Sequence, residues 1–174
     1  MLCYNPGMEI KNLFKFCHRE EKEITNYVFG GTSAIITSLA LIIGLNASAN
    51  SQVAIIGSLL VIALADNISD SLGIHIYQES QGVKAKKVWL GTAANFFTRL
   101  LVSAGFIAIV TIFPPGLATY VAIIYGLTTL AVFSYFIAAS RKRNPLFSVL
   151  EHLLIAVIVV IVSKLVGNFI VTAF

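Results

Sequence analysis

Five long apolar runs, separated by short polar or proline-bearing stretches, organise this sequence from residue 26 onward. They cover residues 26–47, 53–78, 88–113, 117–140 and 147–171. Each is long enough to cross a hydrocarbon core of about 30 Å, which takes about 20 helical residues. The interruptions have physical causes. Residues 46–52 are small and polar, residues 79–87 are charged, Pro114-Pro115-Gly116 cannot continue a helix, and the basic stretch from Arg141 ends at Pro145. An open sheet cannot satisfy its backbone in lipid, so the pattern predicts an all-α integral membrane protein. Short connectors make it a five-helix transmembrane bundle with antiparallel neighbours.

Composition agrees with the pattern. Hydrophobic residues make up 57% of the chain and charged ones 11%, against about 25% charged in ordinary soluble domains. The formal charge of +4 gives no nucleic-acid surface, because the cations sit in separate clusters between apolar runs. Four lie before the first span, three (Lys84, Lys86, Lys87) between the second and third, and three (Arg141, Lys142, Arg143) between the fourth and fifth. The opposite connectors and the segment Thr172 to Phe174 carry none. By the positive-inside rule the N-terminus is cytoplasmic and the C-terminus outside.

The division expected is a cytoplasmic amphipathic segment, 1–25, followed by a transmembrane domain, 26–174. In the first segment Ile10, Leu13, Phe14 and Cys17 recur at helical spacing beside Lys11, Lys15 and Arg19, which predicts a helix lying on the inner leaflet. Charges occupy the place where a signal peptide would need its apolar region, so the first span is expected to direct its own insertion. Short cytosolic parts without targeting signals favour a prokaryotic plasma membrane over a vacuolar one.

Polar residues inside the spans are expensive and carry the functional signal. Asp66, Asn67, Ser69, Asp70 and Ser71 fall well within the second span, where a charge costs several kcal/mol, about 2.5–3.5 each by insertion scales. Asp66 and Asp70 are one helical turn apart on a face that continues through Gly73 to Tyr77. Two carboxylates so placed can share a metal ion. Arg99 lies at a similar depth in the third span, so an Asp66 to Arg99 ion pair stands as the structural alternative for Asp66. Asp70 has no obvious cationic partner and leans toward function. Ser33 and Thr37 of the first span are pathway-lining candidates, and Gly30, Ser33, Thr37 and Gly44 form a small-residue stripe for close helix approach. His75 falls away from the Asp66 face and reads as a packing residue. Lys164 can snorkel, and Glu151 and His152 read as solvated.

These features resemble the vacuolar iron transporter family. The first-helix frame Gly30-Gly31-Thr32-Ser33-Ala34 with Gly44 is similar to that family, as are Ser69-Asp70-Ser71-Leu72-Gly73-Ile74 with Gln78 and the basic approach to the fifth helix, Ser140 to Phe147, leading to Glu151. The resemblance implies a small five-helix homodimer that moves ferrous iron or manganese out of the cytosol. Ser33 and Ile74 stand where the family has its intramembrane aspartate and methionine, so Asp70 alone carries over as a carboxylate. The segment 79–87 is too short for the family's cytosolic metal-binding insertion. An oxygen-only site of this kind suits manganese, magnesium or calcium.

The function expected is a homodimeric divalent cation transporter with proton coupling, Asp70 and Asp66 as metal ligands, and Fe2+ or Mn2+ as cargo rather than as a permanent cofactor. The partners expected are the lipid bilayer, a second copy and the cation. An alternative is a non-transporting scaffold of the same fold. A weaker one is a membrane phosphotransferase: the spacing Asp66-x3-Asp70 resembles that of the alcohol phosphotransferases, although their upstream Asp-Gly-x2-Ala-Arg is missing.

Overall fold

A computed structural model describes residues 10–48, 51–141 and 143–173, with side chains from Phe29 onward. It consists of five helices: α1 (Ile10–Ala47), α2 (Gln52–Ser80), α3 (Ala85–Ile112), α4 (Pro115–Ser140) and α5 (Pro145–Ala173). All five contain a segment long and apolar enough to span a membrane, starting in α1 at Phe29. Residues 1–9 and the side chains of residues 10–28 lie outside the described residues, and with them the amphipathic face expected of segment 1–25. From Ile10 its backbone is helical and runs into the first span without a break.

The helix boundaries follow from local chemistry. Ser51 caps α2, its hydroxyl accepting from the Ala54 amide at 3.2 Å. Gly82, at φ +66°, supplies the left-handed residue that turns the chain after α2. Pro115 and Pro145 are the first residues of α4 and α5, where a missing N–H costs nothing.

α1 is the centre of the bundle. It packs against all four other helices, which follow one another around it in the order α2, α3, α4, α5. The arc does not close, since α2 and α5 make no substantial contact with each other among the described residues. Ile35, Leu39 and Ile42 of α1 are buried with Leu59, Phe106, Ala122, Leu130 and Ala156 from the other four helices. Lipid is as apolar as these side chains, so dispersion and close approach, rather than escape from water, hold the helices together. Two glycines make that approach possible. Gly167 of α5 lies so near the Gly44 carbonyl of α1 that a Cβ would overlap it, and a Cβ on Gly30 would lie 2.5 Å from the Asn95 side chain of α3. The α1 stripe expected to serve an incoming helix is thus divided among neighbours inside the chain. Gly30 faces α3, Ser33 faces α2 and Gly44 faces α5.

Candidate functional site

Asp66 has equal lengths of α2 on either side of it, and Arg99 lies near the middle of α3. Asp70 is one turn nearer the C-terminal end of α2, about 6 Å along the axis. All three side chains meet. One terminal nitrogen of the Arg99 guanidinium donates to Asp66 Oδ2 and the other to Asp70 Oδ2. Ser33, from α1, donates to the same Asp70 oxygen at 2.9 Å. The fork of a guanidinium spans one helical turn, which lets a single cation serve two carboxylates at positions i and i+4.

This corrects the expectation for Asp70. It does have a cationic partner, and that partner is the arginine assigned by sequence to Asp66. The pairing with Asp66 stands as anticipated.

Burial is uneven across the cluster. The Arg99 side chain is 2% exposed, whereas those of Asp66 and Asp70 are 36% and 26% exposed. Arg99 approaches from α3 and Ser33 from α1, and both carboxylates keep part of their surface exposed. Each aspartate uses one oxygen for these contacts. The two Oδ1 atoms accept no hydrogen bond among the described residues. The formal charge of the cluster is −1, from two carboxylates and one guanidinium. No group of three or more His, Cys, Asp or Glu side chains converges on a metal-sized site among the described residues. The cluster therefore offers two carboxylates already shared with an arginine.

Thr37, expected to line a pathway, is half-buried and donates to the Ser33 carbonyl at 3.0 Å, so its hydroxyl proton is committed to its own helix. His75 points to α3. Thr92 gives its proton to the Val88 carbonyl at 2.9 Å, so its oxygen accepts from His75 Nδ1–H at 3.0 Å. The imidazole also lies edge-on to Trp89, with ring centroids 4.6 Å apart. The packing role expected for His75 agrees with this geometry. His152 departs from its expectation: it is half-buried and meets Ser134 of α4 at 2.8 Å, while Glu151 is exposed. Lys164 is exposed on α5.

Behind the charged cluster runs a neutral polar layer that sequence reasoning left without a role. Asn67 donates to the Phe96 carbonyl at 3.1 Å, Ser71 donates to Asn67 Oδ1 at 3.4 Å, and Asn95 donates to Ser71 at 3.1 Å. All three side chains are buried. Asn95 Oδ1, which has no hydrogen-bond partner, rests against Gly30 of α1. The layer fixes the register of α2 against α3, because each donor has one acceptor within reach and lipid offers no substitute. Asn95 stands one turn before Arg99, and that spacing was the available signal.

The chain matches no family model, no curated protein and no solved structure.

Proposed function

We propose that this protein is a homodimeric membrane transporter for a divalent cation, of the iron or manganese kind, with the Asp66–Arg99–Asp70 cluster as its intramembrane site. The observation that carries the reading is the pair of unused oxygens. Two partly exposed carboxylates at mid-span keep one oxygen each on Arg99 and leave the other without a hydrogen bond among the described residues. An unbalanced charge at this depth is costly, so a visiting cation gives it a purpose. Two copies of the cluster carry −2 between them, the complement of one divalent ion or of two protons. That balance is a physical basis for exchanging the ion against protons, and the direction out of the cytosol follows the family resemblance. Oxygen ligands alone suit manganese better than a soft metal.

A dimer has a surface to use. Gly57, Val61, Ala65, Ser69 and Gly73 recur every fourth residue along α2, and all are exposed. Neither Gly57 nor Gly73 has a neighbour within 4 Å of where a Cβ would stand. Four of the five, Gly57, Ala65, Ser69 and Gly73, are small and let a second helix come close, with Val61 an exposed apolar contact among them. The row borders Asp66 and Asp70, so pairing along it brings two half-sites together.

The scaffold reading has one observation in its favour: Arg99 already holds one oxygen of each aspartate. Liposome flux separates the two. Reconstituted protein is expected to carry Mn2+ or Fe2+, and Asp70→Asn to carry neither. Wild-type rates equal to those of Asp70→Asn, or to empty liposomes, would leave the scaffold.

A further inference from the structure

We infer that Arg99 determines the valence of the cation the site accepts, acting as a tethered cation that cancels one of the two carboxylate charges in its own copy. This rests on the transport reading above and specifies the chemistry of its cargo: two positive charges per pair of copies.

The argument starts from what can and cannot change charge. Asp66 and Asp70 can bind or release a proton, but a guanidinium keeps its charge at any pH a cell reaches. Arg99 is also fixed in place. It lies near the centre of α3, 1% exposed, held by both aspartates and flanked one turn away on either side by buried Asn95 and Ser103. Its contribution is therefore a permanent +1 at the mid-span. Without it each copy would carry −2, enough to hold a divalent ion alone. With it each copy carries −1, and only the pair matches a divalent ion. In a low-dielectric setting this net charge outweighs differences among oxygen ligands, because unbalanced charge there is far more costly than imperfect coordination. The contacts also explain how Arg99 can remain while cargo binds. It takes the Oδ2 atom of each aspartate and leaves the Oδ1 atom of each without a hydrogen bond, so cargo and guanidinium use different oxygens of the same carboxylates.

A charge-substitution series on the purified full-length dimer, read as Mn2+ bound per chain by equilibrium dialysis and elemental analysis, tests the inference. Wild type should hold about one Mn2+ per two chains, the number that balances the charge of two clusters. Asp66→Asn brings each cluster to zero and should lose Mn2+ binding at least tenfold. Asp66→Asn with Arg99→Gln returns each cluster to −1 and should recover about one Mn2+ per two chains. Arg99→Gln alone makes each cluster −2 and should approach one Mn2+ per chain if the variant folds; the recovery arm holds without it. Removal of a buried arginine that restores binding is a result no purely structural role produces. Equal binding by Asp66→Asn and its double variant, at any level, overturns the assignment of Arg99 while leaving transport intact. A wild-type dimer with no bound Mn2+ overturns the transport reading itself.

Discussion

Asp66 and Asp70, one turn apart on α2, share a single partner, the buried Arg99 guanidinium of α3. The energetics of the cluster are therefore collective. Removing the arginine strands two carboxylates at mid-span, whereas removing either aspartate leaves a balanced pair. Arg99→Leu is expected to destabilise the protein, by less than the roughly 3–5 kcal/mol of breaking a fully buried pair, because Asp66 and Asp70 are partly exposed. Replacing all three groups together, with Asp66→Asn and Asp70→Asn, should recover most of the loss. Thermal unfolding in detergent checks both, and an Arg99→Leu protein as stable as wild type would contradict the arrangement.

The α1–α5 crossing depends on two glycines meeting face to face. A methyl group on Gly167 would overlap the Gly44 carbonyl and press on Ala47. Gly167→Ala should therefore cost about 1–3 kcal/mol by over-packing. Gly116→Ala, at the start of α4, meets nothing within 4 Å and should leave unfolding near wild type. The pair is measured in one denaturation series.

The exposed row on α2 makes a separable prediction about assembly. Ser69→Trp should leave the helical content and thermal unfolding of the protomer near wild type while weakening dimer formation at least tenfold. Single-molecule photobleaching in liposomes over a range of protein-to-lipid ratios reads the equilibrium directly. An unchanged dimer population would move the subunit contact elsewhere.

Orientation is tested by cysteine accessibility. The connector after α2 belongs to the basic side and the end of α5 to the other. With Cys3 and Cys17 replaced by serine, Gln81→Cys should react with an impermeant thiol reagent only from the cytoplasmic face, and Thr172→Cys only from the opposite one. Both labels on one face would remove one span from the membrane.

Much of this anatomy was legible in the sequence. Apart from the start of α1, every helix boundary falls within about three residues of the apolar runs. The reason is that hydrocarbon thickness and helix-breaking prolines act locally, and a sequence displays both. The Asp66–Arg99 pair was legible from depth alone. The share of Asp70 was not, because helix-wheel reasoning gives each cation one partner and ignores the breadth of a guanidinium fork. Contacts such as His152 to Ser134 depend on which helices are neighbours and in what register. The small-residue stripes of α1 and α2 look equivalent in sequence for the same reason. Only the arc of helices around α1 reveals that the first is consumed within the chain and the second left open.

Carbodiimide modification reads the central claim, that the Asp66 and Asp70 oxygens left unused by Arg99 receive a cation. A hydrophobic carbodiimide reaches carboxyls within the membrane that are not closed off by fixed partners, so peptide mass spectrometry should find the adduct on α2. Millimolar Mn2+ should suppress it and Arg99 should not prevent it. Aspartates that stay unmodified with and without Mn2+, or that react equally in both, would mean that Arg99 closes the cluster and that no cation visits it.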